Sequence, residues 1–157
     1  MNIVLIVIGK TDEEWLQEAV ASYVNRLKHY IAFKTIIIPA LKNTKNISTI
    51  VQKQKEGELI LSNIISSDVV IVLDEKGEQY SSLAFSAFIN QKMNAGIKRL
   101  VFVIGGSFGF SDAIYERADV KLSLSKMTFS HQMIRLFFIE QLYRAMTILK
   151  GEKYHHF

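Results

Sequence analysis

LSKMTFSHQMIRLFFIEQLYRA, residues 124–145, is the stretch whose reading decides the fold. It opens on a polar turn, Ser125-Lys126-Met127-Thr128-Phe129. Met133, Ile134, Phe137, Phe138, Gln141, Leu142 and Ala145 then recur at three- and four-residue steps. That spacing predicts a helix with one broad buried face. It assigns Arg135, Glu140 and Arg144 to the opposite, polar side. Ser130 stands where an N-cap would, with a side-chain oxygen able to accept a first-turn N–H. His131 lies in the same turn. A loop at a strand's carboxyl end, a helix N-terminus and a titratable ring together make a candidate ligand site. An ordinary capped core helix would show the same pattern.

Outward from this stretch, short apolar runs alternate with helical patterns. Ile3–Ile8 is continuously apolar, as a strand buried on both faces must be, and such strands are usually parallel. Thr11 and Glu14 form a capping-box pattern ahead of a helix reaching about Tyr30, with Leu16, Ala19, Val20, Tyr23 and Leu27 as its buried stripe. Lys34–Ile38 reads as a second strand, stopped by Pro39. Ile47, Ile50, Val51, Leu61, Ile64 and Ile65 fit a second helix. Val69–Leu73 is a third strand, with Asp74-Glu75-Lys76-Gly77 as a turn at its end. Ser81 or Ser82 caps a third helix to about Asn94, ended by Gly96. Leu100–Ile104 leads into Gly105-Gly106-Ser107-Phe108-Gly109, Ser111 opens a short helix, and Val120–Leu124 is the fifth strand. Alternating strands and helices define an α/β domain with a mainly parallel sheet and helices on both faces.

Composition removes several function classes. The 157 residues suit one domain, residues 1–157, large enough to bury roughly two thirds of its unfolded surface. The absence of cysteine excludes disulfides, thiolate metal sites and cysteine nucleophiles. The N-terminal apolar run is too short to span a bilayer and has no basic leader, which predicts a cytoplasmic protein with no membrane partner. A net charge of +4 leans only weakly towards a polyanionic partner. Lys42, Lys45, Lys53 and Lys55 fall close together, as a nucleic-acid patch or as an ordinary solvated face.

The strand ends after Leu73, Ile104 and Leu124 run into glycine-rich or small polar loops, which makes them the candidate pocket. Gly105, Gly106 and Gly109 match neither a dinucleotide fingerprint nor a Walker loop. His29, His131, His155 and His156 show no metal-ligand spacing, so no metal is expected. No nucleophile elbow is present either. Tyr154-His155-His156-Phe157 is an aromatic, titratable cluster in a tail where disorder would be the default.

Together these segments resemble the RlmH family of SPOUT-class methyltransferases, which act on a pseudouridine of 23S ribosomal RNA. The resemblance covers essentially the whole chain. It rests on MNIVLIVIGK, VIVLDEKG, FVIGGSFG, LSKMTFSHQMIR, IEQLYRA and GEKYH. It implies S-adenosylmethionine as cofactor, a homodimer, and a C-terminal trefoil knot through which the final helix threads. By motif, the cofactor contacts would be Leu73, Gly105, Gly106 and the loop Leu124, Ser125, Lys126, Met127, Thr128 and Phe129. His131 matches the histidine of the family's loop-to-helix junction, and Tyr154 with His155 matches its tail motif. Ser130 stands where the family usually has proline, and His156 where it has arginine or lysine.

The implied reaction transfers a methyl group to N3 of a pseudouridine in 23S rRNA, on the assembled ribosome. The N3 imide is a weak acid, so a base or a cation beside it lowers the barrier. His131 or His155 could be the base and Arg135 could stabilise charge on a carbonyl, while Tyr154 offers stacking surface. Tyr154 and His155 are expected to order on RNA binding. Leu136, Phe137, Phe138, Ile148 and Leu149 exceed one stripe, which suggests a subunit interface as well as a core. Two other readings share this pattern: a SPOUT-type enzyme acting on transfer RNA, and a non-catalytic ribosome- or nucleotide-binding module.

Overall fold

The computed structural model describes residues 1–157. The strands are β1 (Asn2–Ile8), β2 (Ala32–Ile38), β3 (Val69–Gln79), β4 (Arg99–Ile104) and β5 (Val120–Ser123). They form one sheet in the order β2-β1-β4-β3-β5, and every pairing is parallel. Between and after them run α1 (Glu14–Leu27), α2 (Thr49–Leu61), α3 (Ser82–Asn94), α4 (Asp112–Arg117) and α5 (Met133–Leu149). No helix is long and apolar enough to cross a membrane.

The continuous apolar runs are explained by two cores, one on each sheet face. Ile3, Leu5 and Val7 of β1 point towards α1, α3 and α5, where Leu27, Phe85, Ile89, Phe138 and Leu142 close the first core. Val4, Ile6 and Ile8 point the other way, to Ile60 of α2 and Ile114 of α4. Phe102 and Phe138 meet with ring centroids 4.7 Å apart, which seats α5 on the centre of the sheet. The side-chain oxygen of Ser81 caps α3, accepting from the Ala84 N–H, and Gly96 takes the left-handed conformation beyond it.

Four local expectations give way. Thr11 and Glu14 form no capping box: α1 begins after Glu13 without a side-chain cap, and the Thr11 hydroxyl accepts from Arg135 instead. The helix is also shorter, ending at Leu27 in a turn. Around α2 the expected stripe holds only in part: Leu61 and Ile64 pack against the second core and Ile47 is half-buried. Ile50 is 64% exposed, Val51 and Ile65 are exposed, and Glu56, Gly57 and Ile60 are buried in their place. Asp74-Glu75-Lys76-Gly77 is not a terminal turn but a bulge within β3. Leu73 and Glu78 both pair with Leu122, and the four residues between are thrown out of register. Gly77 makes the bulge possible, since a Cβ there would lie 2.6 Å from the Lys121 carbonyl.

Candidate functional site

The carboxyl ends of β3, β4 and β5 frame a cavity of about 610 Å³. Of the sequence candidates, Leu73, Gly105, Gly106, Leu124, Ser125, Met127, Thr128 and Phe129 line it, and His131 stands on its wall. Lys126 does not line it and is exposed. Three segments far apart in sequence converge because parallel strands deliver all their carboxyl ends to one edge of the sheet.

Side-chain bonds hold these loops in place. The Ser123 hydroxyl donates to the Ser125 carbonyl (2.9 Å), and the Met127 N–H donates to Ser125 Oγ (3.0 Å), which folds the loop after β5 into a tight turn. The Thr128 hydroxyl bonds the Glu75 carboxylate of the β3 bulge, so two walls are tied together. A Cβ on Gly106 would lie 2.8 Å from Glu56 Oε2, a buried carboxylate on α2. The glycine therefore serves the loop's own packing as well as the cavity.

Asp74, Ser107 and Phe108 also stand on the walls, in loops the sequence nominates without singling these residues out, and Tyr115 there was missed. The Tyr115 hydroxyl bonds the Asp74 carboxylate; burial first, and then that bond, push the phenol's pKa well above its usual range. Asp74 carries a signal in its place directly after a strand end. Tyr115, 41 residues away from it, carries none.

Ser130 does cap the turn before α5: its Oγ accepts from the Met133 N–H at 3.0 Å, although the regular helix begins only at Met133. His131 lies in that turn, with Nδ1 3.4 Å from Ser107 Oγ. Gln132 bridges to the start of α1, accepting from the Asp12 N–H and donating to the Lys10 carbonyl.

Arg135 is not on a polar outer face. It is 2% exposed. Its Nε donates to the His131 carbonyl (3.1 Å), Nη1 to the Gly9 carbonyl (2.8 Å) and Thr11 Oγ1 (3.2 Å), and Nη2 to the Ile8 carbonyl (2.7 Å). Burial lowers its pKa, with Asp12 opposing. The end of β1 leaves carbonyls without ladder partners, and the guanidinium fork supplies the donors.

Tyr154 and His155 are not at this cavity. Tyr154 packs on Tyr143 (centroids 4.8 Å apart), donates to Glu140 Oε1 (2.7 Å) and lies 3.3 Å from the Tyr23 hydroxyl. The Arg144 guanidinium covers its ring at 4.7 Å and bonds the same Glu140 oxygen at 2.7 Å. His155 Nδ1 is 3.4 Å from Arg144 Nη1. The tail expected to order only on RNA is already docked against α1 and α5. Phe138 is core, as the buried face of α5 requires, whereas Phe137, assigned to the same face, is exposed and packs at a tilt against Phe129. No group of three His, Cys, Asp or Glu residues is placed to hold a metal ion.

Comparison with known proteins places this geometry among relatives. Residues 1–155 match the family model described as "Predicted SPOUT methyltransferase". The chain is 61% identical over 156 residues to the ribosomal RNA large subunit methyltransferase H of Christiangramia forsetii, covering 99% of each. It is 59% identical, with the same coverage, to the protein of that name from Flavobacterium johnsoniae. Among solved structures it is similar in fold to a probable methyltransferase from Bordetella pertussis, with a TM-score of 0.57 and 10% identity, covering 92% of this chain and 96% of that one.

Proposed function

Because the chain belongs to the SPOUT methyltransferase family, we propose that it methylates large-subunit ribosomal RNA, at N3 of a pseudouridine in 23S rRNA on the assembled ribosome, with S-adenosylmethionine as cofactor. Full-length identity to proteins named for large-subunit rRNA methylation supports the substrate class. The observation that carries the reading is the cavity at three strand ends with His131 on its wall.

The residues fit the cofactor. Adenosine needs apolar walls and close backbone, and Leu73, Leu122, Leu124 and Ile134 with Gly105 and Gly106 supply them. Asp74 and Glu75 put carboxylates on the wall, which suits a cationic ligand. When bound, S-adenosylmethionine supplies an already activated sulfonium methyl. The chain then aligns the attacking nitrogen and helps remove its proton. His131 takes the N3 imide proton on its Nε2, the ring nitrogen that does not face Ser107. Arg135 spends its donors on backbone carbonyls and holds the His131 turn against β1; it is a positioning residue.

Arg144, which carries the tail cluster, lies thirteen residues beyond His131, about 20 Å along a helix. Tyr154 and His155 therefore reach an active site only as those of a second copy. Exposed Phe129 and Phe137 edge a smaller cleft of about 200 Å³ beside the cavity, an apolar surface that a homodimer would cover. The dimer would carry a formal charge of +8, twice the +4 of one chain. The knot expected of the family belongs to the same reading. Residues 124–132 cross from β5 to the β1–α1 loop through the Glu75, Ser107 and Lys10 contacts, the path that would carry the crossing.

The test is methyl incorporation into ribosomes from cells lacking the protein, with mass mapping of 23S rRNA. The reading expects one new methyl on a pseudouridine and none on transfer RNA. Modification of transfer RNA alone, or cofactor binding without transfer to either RNA, would contradict it.

A further inference from the structure

The lysine group of the β2–α2 connection has no part in the site described above. From residue 41 to residue 55 the chain holds four lysines and no acidic residue. None of the four makes an ion pair; the pairs present are Arg99–Asp68, Arg117–Asp119 and Arg144–Glu140. An unpaired cation on a stiff helix or a short loop keeps its full attraction for an outside anion, with nothing inside the fold to be displaced.

The structure also sorts the four. At 100° per residue, Lys53 shares a face of α2 with Glu56, Gly57 and Ile60, while Lys55 points to the opposite side. Lys53 is half-buried and Lys55 exposed. Glu56 on that face presses its carboxylate on Gly106, in the loop that lines the cavity. Lys53 lies one turn nearer the helix N-terminus. In a β–α–β crossover the helix runs against the strands, so its N-terminus sits at their carboxyl edge. Lys53 therefore stands on the cavity side, beyond the Gly106 loop. Lys42 and Lys45 continue outward on the connection from β2, both exposed, beside exposed Asn43 and Asn46.

We propose that Lys42, Lys45 and Lys53 form a track for the RNA phosphate backbone leading away from the cavity, with Lys55 outside it. The inference rests on the ribosomal RNA reading and adds where the strand runs. Phosphates suit these residues because lysine binds them as a point charge, and amides beside the lysines can bond sugar hydroxyls.

The test measures binding of unmodified ribosomes, from cells lacking the protein, by wild type, K42Q/K45Q/K53Q, K53Q and K55Q, over roughly 50 to 200 mM salt. The triple variant should lose about 2 from the slope of log affinity against log salt, at about 0.7 per phosphate contact, and bind at least roughly tenfold more weakly at the upper salt. S-adenosylmethionine affinity by calorimetry should stay unchanged, and K55Q should behave as wild type. A triple variant with wild-type slope and affinity would overturn the track, as would K55Q matching K53Q. Wild-type protein that neither binds nor methylates these ribosomes would overturn the rRNA reading itself, a result distinguishable from failure of the track alone.

Discussion

The two ends of α5 use similar side chains for opposite purposes. At its start, Arg135, Gln132 and Ser130 bond mostly to backbone, and their effect is to hold open a cavity with His131 on its wall. At its far end, Tyr154, Tyr143, Tyr23, Arg144 and Glu140 bond to one another and pack ring edge against ring face. A side chain that spends its donors on carbonyls builds a frame for something else. A cluster that satisfies itself is a dock, and must open or be offered to another subunit before it can act.

The hardest way to break the first end is Arg135→Met. It keeps most of the volume but strips donors from the Ile8, Gly9 and His131 carbonyls. At about 1–3 kcal/mol per orphaned buried group, the loss should reach roughly 3 kcal/mol or more. Urea unfolding reads it. Arg135→Lys should recover only part, since one ammonium cannot match the fork. A change below about 0.5 kcal/mol, within the range of ordinary surface substitutions, would mean the carbonyls find other donors.

Tyr154→Phe breaks the second end more gently. It removes one hydroxyl shared with Glu140 and Tyr23 and should cost about 1 kcal/mol. Amide exchange should quicken in 151–157 while cofactor affinity stays at the wild-type value. A matching fall in cofactor affinity would show the two ends to be coupled within one chain.

The smallest effect is a titration. The bond to Glu152, then burial, raise the Tyr30 phenol from 10.0 to about 12. A raised phenol favours the neutral form in the folded state. Its contribution is complete below about pH 10 and is lost as pH climbs towards about 12. Tyrosinate absorbance should therefore show a late phenol, besides those of Tyr80, Tyr115 and Tyr154, that moves back towards 10 in Glu152→Gln. An unmoved curve would take Glu152 out of the dock.

The sequence reading succeeds or fails according to where each residue's partner lies. The strands are legible because burial on both faces leaves a run with no polar interruption, as in Ile3–Ile8 and Leu100–Ile104. The cavity's three loops are legible because each follows such a run directly. Arg135 was misassigned because its type suggests solvent, whereas its partners lie more than 120 residues away at the end of β1. On α2, Ile50 and Val51 face out and the Glu56 carboxylate faces in, so periodicity places Leu61 correctly and misplaces the first turn. Tyr154 was grouped with His131 by its tail motif and its chemistry. Only the packing of the tail on α1 and α5 separates them.

Mixing two inactive chains tests that separation most directly. The measurement is methyl incorporation into unmodified ribosomes by His131→Ala protein, by the chain ending at Lys150, and by the two refolded together. If the cavity of one copy works with the tail of the other, each variant alone is inactive and the mixture recovers substantial activity, because a mixed dimer holds one intact pairing. A mixture as inactive as its components, or a truncated chain that transfers methyl at the wild-type rate, would contradict the account.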